Sequence, residues 1–262
     1  MLSPTLHMTR VHFPFDCKWK GYRIEVAYVT GQKDHNFIAG IYNALPTRIC
    51  QFCGNARMLG GQCAETYLHR HLKEADGVYQ IGYYYSNRTI ARKADDDVLT
   101  EHIWGAKARL DFGRRSEVEY LDYCKALAKG LFLVIQNHFP LLLTADYVVP
   151  VPNHKEDKWR NLKAVGIARE LASLLMSTAK SIPIVECLEK VKNSQTMPLL
   201  QIDREEAVEG MFSFDNTKSV KGKKIILIDD VLVGGNVKGK CVEILKQNGA
   251  DKVWILVAGR NN

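Results

Sequence analysis

The chain has 262 residues, 46% of them hydrophobic and 25% charged, and a net charge of +7. This is the composition of a soluble globular protein, long enough for one large domain or two small ones with ample core. The charge suits an anionic ligand or nucleic acid, and equally an ordinary basic protein.

The longest apolar stretches, near Leu131–Ile135 and Leu141–Pro152, are cut by polar residues and prolines and fall short of a bilayer span. The opening MLSPTLHMTRVHF lacks a signal-peptide core, so a cytoplasmic location without membrane association is expected. In that setting the seven cysteines read as thiols or metal ligands rather than disulfides.

In chain order, Arg23–Val29 reads as a strand and Thr30–Asp34 as a turn, giving a small β element with no identifiable chemistry. Cys50 and Cys53 follow, spaced Cys-x2-Cys and trailed by Gly54, the shape of a zinc knuckle, because the turn aims both sulfurs at one ion. Cys63 supplies a third candidate ligand. The fourth is open among His69, His71 and Cys17, with His69 placed in the candidate set. The competing reading is a group of free, partly buried thiols.

Gly77–Ser86 is tyrosine-rich and reads as a strand, followed by a polar turn to Asp97. Residues 98–139 carry helical spacing: Leu99, Ile103 and Lys107, then Val118, Leu121, Cys124, Leu127 and Leu131. Lys93, Lys107, Arg109, Arg114 and Arg115, near Tyr83, Tyr84, Tyr85 and Trp104, would suit single-stranded DNA by phosphate neutralisation and base stacking. The preferred reading is plainer: the aromatics pack a core and the basic side chains are solvated. His102 and His138 read as structural.

Tyr147–Val151 is an apolar strand, and Pro150 and Pro152 keep the backbone extended and stop a helix from starting. A polar, mostly basic loop, Asn153–Arg160, leads to an amphipathic helix over Lys163–Met176, with Ala164, Ile167, Ala168, Leu171 and Leu175 on one face. Ile182–Leu188 reads as a strand and Glu189–Ile202 as a polar, mobile loop.

The densest signal is Lys224–Gly249. Ile225, Ile226, Leu227 and Ile228 form a short β-branched run that suits a strand buried on both faces of a parallel sheet. Asp229 and Asp230 then fall at the expected carboxyl end of that strand, where open α/β sheets bind ligands. Gly234, Gly235 and Asn236 follow, with Asn236 as expected N-cap, and a helix marked by Val237, Cys241, Ile244 and Leu245 ends at Gly249.

Gly234-x4-Gly239-Lys240-Cys241 nearly matches a P-loop, but Cys241 lacks the hydroxyl that would ligate magnesium. Only one further strand, Val253–Ala258, follows. The plainest alternative for the Asp pair is an acidic turn that solvates a strand end.

An apolar strand, two acidic residues and a small-residue loop opening a helix resemble the ribose-phosphate motif of type I phosphoribosyltransferases. Tyr147–Lys155, Gln195, Arg204–Phe212 and the strand with Asp229 and Asp230 recur in the same order in the competence protein F (ComF) family of predicted phosphoribosyltransferases. The resemblance covers the C-terminal half well and the middle loosely. It implies an α/β, parallel-sheet type I phosphoribosyltransferase fold with a smaller N-terminal module, a candidate zinc-binding one, since ComF-family proteins often carry a four-cysteine zinc module there.

The implied division is 1–76 for that module, 77–143 for a connecting, hood-like strand and helices, and 144–262 for the phosphoribosyltransferase-like domain. The implied ligand is phosphoribosyl pyrophosphate (PRPP) with magnesium. Asp229 and Asp230 would take the ribose hydroxyls. Val231, Leu232, Val233, Gly234, Gly235, Asn236 and Val237 would form the 5′-phosphate loop, and Asn153, His154, Lys155, Lys158 and Arg160 the pyrophosphate loop.

The chain departs from the family where DDV-x-TTGAT is usual, because the threonines are replaced at Val233, Gly234 and Val237. Trp159–Leu162 only partly echoes the family's RGFN-like segment. The rival expectation is a non-catalytic nucleotide- or single-stranded-DNA-binding accessory protein of the ComF type.

Overall fold

The computed structural model describes residues 28–31, 34–37, 71–84, 98–107, 117–153, 163–192, 208–233 and 235–261. Near the amino terminus, β1 (Tyr28–Gly31) and β2 (Asp34–Phe37) pair antiparallel as a two-stranded element. The pairing thus runs through Thr30 and Asp34, which the sequence assigned to a turn.

The main sheet is parallel throughout. β3 (Gly77–Tyr84), β8 (Lys252–Asn261), β7 (Lys224–Leu232) and β4 (Tyr147–Pro150) lie in the order β3-β8-β7-β4. Ile184 adds a single parallel bridge beside Val148. The strand expected over Ile182–Leu188 shrinks to that bridge, consistent with Pro183, which has no amide to donate. Leu188–Lys190 is instead β5, paired antiparallel with β6 (Phe212–Phe214), so the expected loop from Glu189 begins as strand. Residues 193–207 lie outside the described set.

Successive side chains of a strand face opposite sides, so the apolar run of β7 feeds two cores. Ile226 and Ile228 pack with α1 (Val98–Ala106), α2 (Glu117–His138) and α3 (Lys163–Leu175). Ile225 and Leu227 pack with α4 (Asn236–Gln247), through Cys241, Val242 and Leu245. The expected faces hold: Ala164, Ile167, Ala168, Leu171 and Leu175 of α3, and Cys124, Leu127 and Leu131 of α2, are all buried. Tyr120 and Tyr123 are buried too, because α2 packs against both α1 and α3.

β3 pairs along β8 from Gly77↔Trp254 to Tyr84↔Asn261, and α1 and α2 share a core with α3. Among the described residues, β3, α1 and α2 therefore share a sheet and a core with β4, β7, β8 and α3. Among the described residues, no helix is long and apolar enough to cross a membrane.

Two aspartates bind the amino ends of the central strands. Asp76 accepts from the Val253 amide (2.8 Å) and from Lys252 Nζ (3.0 Å), and meets Lys246 Nζ at 2.7 Å. Asp146 accepts from the Lys224 amide (2.8 Å) and Lys180 Nζ (2.9 Å). Burial alone would raise both carboxyls, but these bonds outweigh it and hold them below the ordinary carboxylate range.

A depressed carboxyl pKa contributes stability above its unfolded value, and that contribution is lost as pH falls through the folded value. Asp76→Asn should therefore lower stability at neutral pH by about 1 kcal/mol and flatten the acid limb of the stability profile. Urea denaturation between pH 2.5 and 7 measures both effects.

Candidate functional site

The connectivity locates a crevice. From β4 the chain passes through α3 to Ile184 on one side. From β7 it passes through α4 to β8 on the other. Right-handed crossovers running in opposite directions place α3 and α4 on opposite faces, as observed. The carboxyl ends of β4 and β7 are thus a topological switch point, where such sheets leave room for a ligand.

β4 stops first. Its register ends at Pro150↔Ile228, with the Val151 amide donating to the Ile228 carbonyl (2.9 Å). β7 continues to Leu232 beside β8, with Asp229↔Val257, Val231↔Gly259 and Leu232↔Arg260 in register. The strand therefore does not end at Ile228. Asp229 and Asp230 lie within it, where pairing with β4 has ceased but pairing with β8 persists. Peptide groups of a strand bond alternately to its two neighbours. The next amide on the side that β4 has left is that of Asp230, and it donates to Asp229 Oδ1 (2.9 Å).

The two carboxylates diverge to the two faces. Asp229 Oδ2 contacts the ammonium of Lys238 from α4. Asp230 Oδ2 lies 3.4 Å from Lys107 Nζ, just past the end of α1. All four side chains are largely buried. Burial pushes the Asp229 carboxyl up, and the charge of Asp230 adds to it against the pull of Lys238. Burial pulls the Lys238 ammonium down, but Asp229 and Asp230 outweigh it and hold its proton more firmly than in water.

The buried thiols among the described residues are not activated. Burial pushes the Cys124 thiol up to about 12 and the Cys187 thiol to about 11. It raises Cys241 further still, and a raised thiol is inert at neutral pH. The P-loop reading finds no support either, because Lys240 pairs with Glu209 and Glu243 (both 3.1 Å).

The turn into α4 is made by Gly235, the N-cap, at φ 81° and ψ −22° with no side-chain cap. Asn236, expected as N-cap, is instead the first helical residue. The reversal from strand to helix needs a left-handed residue, and glycine takes that conformation without penalty. The helix N-terminus carries no acidic residue in its first turn, so its leading amides form an electropositive end. At the other end, Gly249 (φ 86°) is C′ as expected. Its amide reaches Lys246 O and the Ala250 amide reaches Leu245 O, a Schellman closure.

The predicted site residues divide three ways. Asp229, Asp230, Gly235 and Asn236 gather at the crevice. Val231 and Leu232 are core residues, whereas Val233 is 44% exposed and Val237 half-buried. Asn153, half-buried just after β4, has a buried amide nitrogen without a hydrogen-bond partner. Gly234, His154, Lys155, Lys158 and Arg160 lie outside the described residues, as do the metal candidates Cys50, Cys53, Cys63 and His69. Among the described residues, no group of three or more His, Cys, Asp or Glu side chains could hold a metal ion.

Sequence reasoning missed the two lysines. Lys107 was placed on a solvated or nucleic-acid-facing surface, yet it sits on the stripe of Leu99 and Ile103. Lys238 shares a stripe with Cys241, Val242 and Leu245 at i+3, i+4 and i+7. A lysine on an apolar stripe was the available signal. Trp104 and His102 are buried, with His102 edge-on to Tyr123, so neither belongs to an open stacking surface.

Fold and site define an α/β protein with a parallel-sheet switch point at which two carboxylates and a helix N-terminus meet. No family model matches the chain, and no curated protein sequence does. Solved structures similar to it include glutamine phosphoribosylpyrophosphate amidotransferase from B. subtilis, complexed with ADP and GMP. That match has 20% identity and a TM-score of 0.35, and covers 61% of this chain and 30% of that one. A purine phosphoribosyltransferase from Pyrococcus horikoshii matches at 14% identity and TM-score 0.33, over 51% of this chain and 83% of that one. A phosphoribosylpyrophosphate synthetase from Mycobacterium smegmatis matches at 17% and 0.33, over 60% and 51%. The chain thus spans under a third of the amidotransferase.

Gly235→Ala forces an L side chain into the left-handed region and should cost about 1–2 kcal/mol. A urea melt of the variant beside wild type measures this.

Proposed function

We propose that this chain is a phosphoribosyltransferase-like protein that binds a phosphorylated ribose, PRPP with magnesium, in the crevice between β4 and β7. The observation that carries the reading is the order of parts at the switch point. An acidic strand segment runs into a left-handed glycine, which opens directly onto an electropositive helix end.

In this reading Asp230 accepts ribose hydroxyls, and the amides of Val233–Val237 hold the 5′-phosphate. The chain leaving β4 meets the pyrophosphate, with Asn153 first and His154, Lys155, Lys158 and Arg160 after it. The unpartnered Asn153 amide supports an acceptor-rich ligand there. Magnesium would arrive with the diphosphate as part of the substrate, because each crevice aspartate already faces an ammonium.

One observation favours the rival reading of a nucleotide-binding protein without catalysis. The internal pairing of both aspartates, added to the missing threonines, leaves fewer groups to drive transfer. Single-stranded DNA is the weaker form of that rival, because Lys107 is buried against Asp230. Arg109, Arg114 and Arg115 remain for it to use.

Isothermal calorimetry with PRPP and magnesium tests the proposal, and absence of heat with wild-type protein defeats it. Asp230→Asn should weaken binding roughly ten- to a hundred-fold, the cost of one charge-assisted hydrogen bond. The variant should still fold by circular dichroism.

For the amino-terminal module we propose a closed zinc site built on Cys50, Cys53 and Cys63 with His69. Elemental analysis of protein purified without added metal should find about one zinc per chain, and chelation should lower the melting temperature.

A further inference from the structure

Lys238 occupies a position that helix electrostatics disfavours. It lies in the first turn of α4, where the amides present their positive ends and a cation is repelled. It also faces inward and is only 8% exposed, although a lysine stem usually carries its charge out to water. Its ammonium turns to Asp229 Oδ2 instead. The other oxygen of Asp229 accepts the Asp230 amide at 2.9 Å, the amide left over where β4 departs. One carboxylate therefore joins two parts: the open edge of β7, through the Asp230 amide, and the first turn of α4.

We propose that Lys238 and Asp229 form an internal clamp that sets strand β7 against helix α4. The clamp positions the Gly235 turn and takes Asp229 out of the ligand-binding set. A ligand hydroxyl at Asp229 would have to displace a buried ammonium. On the ribose-phosphate reading, that leaves Asp230 to meet the ligand. Only this last clause rests on the ribose-phosphate reading; the clamp itself does not. Lys238 is thus a positioning residue, acting through Asp229 on the turn.

A double-mutant cycle tests it, with Lys238→Met, Asp229→Asn and the two combined, and Lys238→Arg as the conservative control. Each single change strands one buried charge and should lower the melting temperature by on the order of 10 °C. The combined variant removes both charges and should recover at least half of that loss. Lys238→Arg should melt close to wild type. Calorimetry with PRPP and magnesium should show the combined variant binding as wild type does, while Asp230→Asn binds more weakly.

Additive melting losses in the combined variant would overturn the clamp. Recovered melting with an affinity loss as large as that of Asp230→Asn would keep the clamp but overturn the removal of Asp229 from the ligand set. If Lys238→Met does not fold, a folded combined variant still supports the clamp and an unfolded one overturns it. If wild type binds no PRPP, the ribose-phosphate reading falls and the melting cycle alone decides the clamp.

Discussion

Two adjacent carboxylates in a strand covered on both faces impose the constraint around which this molecule is arranged. Neighbouring residues of a strand point to opposite sides, so Asp229 and Asp230 enter different layers. Neither can be screened by water, and each needs a cation from its own layer. Helix α4 supplies Lys238 on one side, and the end of α1 supplies Lys107 on the other. Leaving one partner of such a buried pair alone costs on the order of 3–5 kcal/mol. The layers above and below β7 are thereby coupled through one dipeptide.

That coupling falls at the switch point of the sheet. β4 is short, four residues, and β7 is long, nine residues, so β7 offers an open edge where β4 has stopped. The edge begins at the Asp pair, and the turn at Gly235 closes the crevice with a helix end. Among the described residues the Asp pair is matched by two ammoniums, the buried thiols are inert, and an amide nitrogen of Asn153 lacks an acceptor.

Much of the fold was legible in the chain. The run Ile225–Ile228 announced a buried parallel strand, Tyr147–Val151 a second, and the 3.6-residue pattern of Lys163–Met176 a one-faced helix. These patterns are local, because burial on one or both faces writes itself directly into residue order. Gly249 as a helix stop was legible for the same reason. Where pairing stops was not: β7 outlasts its apolar run because β8 runs beside it to Leu232, a decision made by a neighbour.

The place of β3 was likewise hidden, since nothing within Gly77–Tyr84 says that its partner is Lys252–Asn261. By itself, then, the sequence determined which segments are strands and helices, which faces are apolar, and that acid and glycine meet at one strand-to-helix junction. Only the tertiary structure decided what the acids do there. Lys107 stands more than a hundred residues from Asp230 along the chain, and Lys238 nine from Asp229 across a turn. Charge pairing in a buried layer depends on distance through space, and residue spacing carries no record of it once the chain has turned back on itself.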